Sequence, residues 1–184
     1  MAKEKKEKTP GYEEFHDALQ SGAVRNVYIF HGKETYLMQQ AVAELQARLV
    51  PAGFEEFNYH RLAGKGLTMQ EVVEAAEAMP MMAERTLVTV EDMDLFRLDE
   101  AQRGALVALL EDFPEYCTLV FLYRQIPYKT DVKLKKLTAA LAERAQVIEF
   151  AQQGQQKLQK WVRRRFAAAG KDIDCLLYTS PSPR

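Results

Sequence analysis

The stretch Val27-Tyr28-Ile29-Phe30-His31-Gly32-Lys33-Glu34-Thr35 decides the fold of this 184-residue chain. Its first four residues are all apolar, which is typical of a β-strand that is covered on both faces, as in a parallel sheet. A glycine turn follows, and apolar residues at every fourth position from Leu37 to Leu49 then predict a helix over residues 34–49. A strand, a tight turn and a helix in this order make up the repeating unit of an α/β domain.

The same patterns alternate along the rest of the chain. Further apolar runs predict strands over residues 57–61, 86–90, 118–123 and 147–150. Helical spacing predicts helices over residues 69–79, 99–110 and 131–144. Thr68-Met69-Gln70-Glu71 forms a capping box that begins the first of these, and Pro80 ends it. We therefore predict an α/β fold, a three-layer domain around a mostly parallel five-stranded sheet with right-handed crossovers.

Composition indicates an ordinary globular protein. The chain is 47% hydrophobic and 28% charged, and its net charge of −1 provides no general attraction to nucleic acid or to an anionic membrane. No apolar run approaches the length of a membrane span. Cys117 and Cys175 have neither metal-binding nor redox spacing. Together these features favour a reducing cytoplasm.

Composition also suggests the domain boundaries. Residues 1–11 are charged and predict a disordered leader, and residues 12–150 contain the α/β pattern. A polar linker then leads into a predicted helix over residues 155–169, which ends at Gly170, so residues 151–174 are expected to begin a second domain that is truncated here. The composition changes abruptly at residues 175–184, which match one reading frame of a widely used sequencing adapter, so we expect a non-native tail.

The turn Gly32-Lys33-Glu34-Thr35 lies where a phosphate-binding loop would lie. The full motif needs a glycine five residues before Gly32, where Val27 stands, and a serine or threonine directly after Lys33, where Glu34 stands. A carboxylate at that point would repel a phosphate. We interpret the loop as degenerate and expect no nucleotide-binding residue, no cofactor and no catalytic residue.

Other polar groups give weaker signals. Glu91-Asp92 follows a predicted strand and is interpreted as a solvated strand end rather than as a magnesium site. The histidines are scattered without ligand spacing, at positions His16, His31 and His60. Two basic groups lie on predicted helices, and a solvated helix face is the default for both: Lys133, Lys135 and Lys136, and then Lys160, Arg163, Arg164 and Arg165. Arg163–Arg165 could alternatively contact a DNA backbone, without the aromatic interleaving that would strengthen this interpretation.

The segment Met79-Pro80-Met81-Met82-Ala83-Glu84-Arg85 is unusually apolar for a loop between a helix and a strand. Spacing alone favours Met81 and Met82 folding back onto their own core. The alternative is a surface that fits a groove on another protein, a role that suits flexible methionine side chains.

The order of these features resembles the N-terminal half of the delta subunit of the bacterial DNA polymerase III clamp loader. The resemblance spans residues 12–174 and is carried by these segments: Val27-Tyr28-Ile29-Phe30-His31-Gly32-Lys33-Glu34-Thr35-Tyr36-Leu37, Ala78-Met79-Pro80-Met81-Met82-Ala83-Glu84-Arg85-Thr86-Leu87-Val88, Thr118-Leu119-Val120-Phe121 and Val147-Ile148-Glu149-Phe150. It implies an AAA+-like (P-loop NTPase-like) first domain that hydrolyses no ATP, followed by a small helical lid domain and a collar.

The resemblance also implies a binding site and partners. A hydrophobic pair in this family inserts into the β sliding clamp, and it corresponds here to Met81-Met82, supported by Met79, Pro80 and Arg85. Many relatives carry Leu-Phe or Phe-Phe at this point, so Met-Met is a departure. The implied activity is opening of the clamp ring for loading on primed DNA, within the polymerase III holoenzyme in the bacterial cytoplasm. The other loader subunits (gamma/tau and delta prime) would bind through the collar, primer–template DNA would be contacted indirectly, and no membrane is involved.

The residues themselves also allow two other functions. A P-loop ATPase or phosphotransferase would bind nucleotide at Gly32-Lys33, which Val27 and Glu34 disfavour. A DNA-binding module would use Arg163–Arg165 and would show steep salt dependence, which the near-zero net charge disfavours.

Overall fold

The structure, a computed structural model, describes residues 10–64, 66–152, 162, 163, 166 and 170. The chain divides into two compact units between Ala151 and Gln152. The first unit contains five strands: β1 (Val27–Gly32), β2 (Tyr59–Leu62), β3 (Thr86–Glu91), β4 (Cys117–Tyr123) and β5 (Ala145–Phe150). It also contains six helices: α1 (Tyr12–Gln20), α2 (Thr35–Leu49), α3 (Glu55–Asn58), α4 (Met69–Glu77), α5 (Glu100–Glu111) and α6 (Lys135–Arg144).

The strands form one sheet in the order β2-β3-β4-β1-β5. Every neighbouring pair is parallel, so the sheet is more regular than the mostly parallel one that the sequence predicts. Strands β1, β3 and β4 are buried along nearly their whole length, as their continuous apolar runs predict. The predicted α/β fold class is confirmed.

Helices cover both faces of the sheet, giving three layers. Alternate residues of β1 and β4, such as Val27, Ile29 and Leu119, share one buried cluster with the apolar faces of α4, α5 and α6. On the opposite face, the Phe15 ring of α1 makes edge contacts with the rings of Tyr28 and Phe30, at centroid distances of 5.5 and 5.2 Å. Helix α2 supplies a second group of buried residues outside the first cluster.

Several predicted boundaries are wrong. Helix α1 was not predicted, although Phe15 and Leu19 are buried at helical spacing. The predicted strand over 57–61 begins only at Tyr59, because Phe57 and Asn58 belong to the short helix α3. Helix α4 ends at Glu77, two residues before its predicted end.

Helix α6 begins four residues later than predicted. The Asp131 carboxylate accepts a hydrogen bond from the backbone N–H of Lys133 at 2.9 Å, and this local turn competes with helix formation. The first helical residue is therefore Lys135.

Only four residues of the second unit beyond Gln152 are described. Val162, Arg163 and Phe166 are helical, and Gly170 has φ +67°, a left-handed conformation that glycine adopts without strain. The remaining predictions for this unit lie outside the described residues, namely Leu158, Lys160, Trp161, Arg164, Arg165 and the tail 175–184, as does most of the predicted leader.

Candidate functional site

The candidate site is the loop of residues 78–85, which connects α4 to β3 and is called the methionine loop below. All five strands are parallel, so their first residues share one edge of the sheet, the amino edge, and the loop lies there because it leads directly into β3. Met79, Met81 and Met82 are 79%, 48% and 78% exposed. These values contradict the interpretation in which Met81 and Met82 fold back onto the core.

The buried Asn58 side chain holds the backbone of Met81 from both sides. Its Oδ1 accepts a hydrogen bond from the Met81 N–H at 2.8 Å, and its Nδ2 donates to the Met81 carbonyl at 2.8 Å. The same Nδ2 donates to the Phe54 carbonyl at 3.1 Å. Asn58 has no exposed surface, so water cannot compete at the side chain itself. The tip of the loop is thereby fixed to the domain through its main chain, which leaves the methionine side chains free to contact a partner.

The two ends of the methionine loop are fixed as well. The Tyr116 hydroxyl donates to the carbonyl of Glu77, the last residue of α4, at 3.0 Å. At the other end, the Arg85 guanidinium donates to Oδ1 of Asn26 at 3.4 Å. Between them, Met82 has φ +53°, a left-handed conformation that costs energy for a residue other than glycine. The bonds from Asn58 to the neighbouring Met81 hold the loop in a conformation in which Met82 keeps this strained backbone.

Sequence reasoning missed Asn58. The apolar run predicts a strand over residues 57–61, in which a polar side chain next to Phe57 would face solvent. The available signal was an asparagine directly before a strand, since asparagine commonly bonds to nearby backbone groups in turns. Phe57 itself is 49% exposed and adds an aromatic ring to the amino edge beside Asn58.

The degenerate phosphate loop lies at the opposite, carboxyl edge of the sheet. Gly32 has φ +134°, and a Cβ at this position would overlap the carbonyl of Phe150 in β5. The backbone N–H of Glu34, at the start of α2, donates to that same carbonyl at 3.1 Å. A phosphate would need such an N–H group to be free. The backbone of β5 therefore closes the loop.

Glu91 and Asp92, also at the carboxyl edge, are not a solvated strand end as predicted. The Glu91 carboxylate pairs with Nε of Arg61 at 2.7 Å and with Nη1 of Arg124 at 3.3 Å. Oδ1 of Asp92 accepts the backbone N–H groups of Arg124 and Gln125, both at 2.8 Å. Both carboxylates thus tie strand ends together within the domain.

The three histidines are separate in space, each with different neighbours. His16 contacts the Glu44 carboxylate at 2.9 Å. The His31 ring lies 5.1 Å from the Tyr128 ring, and burial lowers the pKa of His31 while Glu149 opposes the shift. Nε2 of His60 is buried and has no hydrogen-bond partner among the described residues. Among the residues described, no group of three or more histidine, cysteine or acidic side chains could hold a metal ion.

The basic side chains that the structure describes do not form a binding site. Lys133, Lys135 and Lys136 are exposed at the start of α6, as a solvated face predicts. Arg163 is exposed and helical, and its predicted companions Arg164 and Arg165 lie outside the described residues. Within the part of the chain that the structure describes, no helix combines the length and the apolar character needed to cross a bilayer.

A family model and a relative of known identity both match the same family. Residues 28–151 match the family described as DNA polymerase III, delta subunit. The chain is 30% identical over 139 residues to DNA polymerase III subunit delta of Bacillus subtilis, covering 72% of this chain and 39% of that protein. This chain therefore corresponds to less than half of that relative's length.

Solved structures show the same similarity. The Bacillus subtilis DNA clamp loader delta protein superposes with a TM-score of 0.68 at 25% identity, over 89% of this chain and 49% of that one. A DNA polymerase III gamma subunit-related protein from Thermotoga maritima superposes with a TM-score of 0.52 at 13% identity, over 86% of this chain and 54% of that one. The second match is evidence of a shared fold alone.

Proposed function

This chain belongs to the DNA polymerase III delta subunit family, and we propose that its methionine loop binds the β sliding clamp and that this binding helps to open the clamp ring during replication. The relatives supply the setting, since one of them is itself described as a DNA clamp loader delta protein. The family resemblance supplies the position of the site, at Met81 and Met82 with Met79, Pro80 and Arg85 beside them.

The observation that carries the proposal is a set of exposed methionines on a loop with a fixed backbone. A free methionine loop would have to lose conformational freedom when it binds, which weakens affinity. Here Asn58 already holds Met81 through its N–H and its carbonyl. Burying a fully exposed methionine side chain contributes about 1.5–3 kcal/mol, and Met81 and Met82 are 48% and 78% exposed, so together they would contribute about 2–4 kcal/mol before ordering costs. That range corresponds to about one and a half to three decades of affinity.

The proposed role needs no nucleotide on this subunit. The Phe150 carbonyl accepts the Glu34 N–H and adjoins Gly32, in the position that a phosphate loop would keep open. Steps that depend on ATP are therefore assigned to other loader subunits. We propose that gamma/tau and delta prime bind this subunit through the C-terminal collar that the family resemblance implies. In this scheme primer–template DNA is contacted indirectly, and the protein acts in the bacterial cytoplasm.

A binding measurement with matched variants tests the proposal. The affinity of the 184-residue chain for a bacterial β sliding clamp is measured by calorimetry beside the Met81→Ala/Met82→Ala variant. Val132→Ala is the control, because Val132 is 79% exposed but lies in the turn before α6. We expect the double variant to lose about 30-fold or more in affinity and the control to bind like the wild type.

Thermal unfolding of the same three proteins separates binding from folding. Met82 is 78% exposed and Met81 is about half exposed, so the double variant should unfold within about 4 °C of the wild type. Unchanged clamp affinity in a folded double variant would place the binding site elsewhere on the chain. Absence of binding by the folded wild-type chain would refute the proposed function.

A further inference from the structure

The methionines of this chain fall into two classes of exposure. The chain has seven methionines, and all but Met1 lie in the described part. Met38, Met69 and Met93 belong to the core, with 1%, 1% and 8% of their surface exposed. Met79, Met81 and Met82 are 79%, 48% and 78% exposed, and all three lie within four residues of each other in the methionine loop. Among the described residues, the accessible thioether groups are thus concentrated at the proposed docking site.

We propose that Met79, Met81 and Met82 form an oxidation site at which peroxide reversibly weakens clamp binding, an inference that rests on the proposed function. The thioether sulfur attacks one oxygen of hydrogen peroxide, an S–O bond forms as the O–O bond breaks, and water leaves after proton transfer. The sulfur loses two electrons and the peroxide gains them, so no further reactant is needed. The product is a methionine sulfoxide, which the methionine sulfoxide reductases convert back to methionine.

Oxidation at this place opposes docking for a physical reason. A sulfoxide is polar and accepts hydrogen bonds, whereas the thioether binds as an apolar, flexible group. Burial of a polar group without a partner in an apolar groove costs free energy that corresponds to about a tenfold or greater loss of affinity for each side chain. Leucine or phenylalanine at these positions would bind as apolar groups but could not respond to peroxide, so the Met-Met pair is what makes the site sensitive.

The fold itself should survive this oxidation. Asn58 holds the loop through the N–H and carbonyl of Met81, and neither group takes part in sulfur chemistry. The core methionines are covered, which slows their oxidation. Mild peroxide should therefore change the docking surface and leave the unfolding temperature unchanged.

Peptide mapping provides a test that does not depend on the clamp. The 184-residue chain is treated briefly with hydrogen peroxide, quenched with catalase, cut with trypsin and read by tandem mass spectrometry. Cleavage after Lys65 and Arg85 yields one peptide, residues 66–85, which holds three exposed methionines and the buried Met69 as an internal control. We expect Met79, Met81 and Met82 to oxidise well before Met69. Oxidation of Met69 at the same rate would overturn the proposal.

Clamp binding provides the second test, with a variant that keeps the apolar bulk. We expect the oxidised wild type to bind a bacterial β sliding clamp at least about tenfold more weakly than the untreated protein, and sulfoxide reductases to restore the affinity. The Met79→Leu/Met81→Leu/Met82→Leu variant should bind equally before and after peroxide. Undiminished binding by the oxidised wild type would overturn this inference alone, whereas no binding by the untreated wild type would overturn the proposed function as well.

Discussion

Asn58→Ala should release the methionine loop from the domain. Asn58 makes three hydrogen bonds to main-chain groups, two with Met81 at 2.8 Å and one with Phe54 at 3.1 Å. At about 0.5–1.5 kcal/mol for each bond, their loss should lower the free energy of unfolding by about 2–4 kcal/mol. For a domain of this size the unfolding temperature should fall by about 4–16 °C.

The same change should weaken docking more than its effect on folding explains. Without Asn58, Met81 and Met82 must be ordered when the clamp binds, and fixing a backbone residue costs about 1–2 kcal/mol. We therefore expect clamp affinity to fall by about 30- to 700-fold at a temperature where the variant is still folded. The assay pairs thermal unfolding by circular dichroism with calorimetric titration of the clamp, and Val132→Ala again serves as the control.

Hydrogen exchange shows whether the loop itself is the cause. The Met81 N–H should be protected in the wild type, since Oδ1 of Asn58 accepts it, and should exchange freely in Asn58→Ala. Asn58→Asp should keep that one bond but lose the two that Nδ2 donates. An unchanged unfolding temperature together with an unprotected Met81 N–H in the wild type would refute the reasoning.

Three further predictions concern the opposite, carboxyl edge of the sheet. Gly32→Ala should destabilise the domain by about 2–6 kcal/mol in urea unfolding, because Gly32 has φ +134° and an alanine Cβ would overlap the Phe150 carbonyl. Stability equal to that of the wild type would contradict the described contact. Excess Mg-ATP should leave the unfolding temperature unchanged, because the Glu34 N–H is already bonded, and a concentration-dependent rise would contradict this. Burial lowers the pKa of His31 below its ordinary value of 6.5. The neutral His31 side chain should therefore contribute fully to stability above pH 6.5, and this contribution should decrease as the pH falls toward the lowered pKa of the folded state. Urea unfolding across this range should show a shallower pH dependence in His31→Asn than in the wild type, and identical profiles would rule out this effect.

The central strands could be predicted from sequence because burial on both faces leaves a strong signal. β1, β3 and β4 require apolar residues on both faces, so 27–30, 86–90 and 118–123 stand out without knowledge of the fold. The capping box could also be predicted from the sequence, and the Glu71 N–H does donate to Oγ1 of Thr68. Such local signals involve residues within one helix or strand.

The features that could not be predicted from the sequence depend on contacts between residues far apart in the chain. Asn58 bonds to Met81 across 23 positions of the chain, and nothing in its immediate neighbours specifies that partner. Gly32 is closed by Phe150, which is a strand partner only once β5 lies beside β1. The methionine loop was recognisable as unusual from its composition, but its exposure follows from these long-range contacts. Spacing alone therefore favoured the wrong interpretation of Met81 and Met82.

Site-specific crosslinking tests the central claim most directly, namely that the methionine loop contacts the sliding clamp. A photoreactive amino acid replaces Met82 in one variant and Val132 in another, two positions with nearly equal exposure of 78% and 79%. After mixing with a bacterial β sliding clamp and illumination, crosslinked products are mapped by mass spectrometry. We predict efficient crosslinks to the clamp from position 82 and none from position 132. Crosslinks from position 132 alone, or none from position 82 in a folded protein, would contradict the claim.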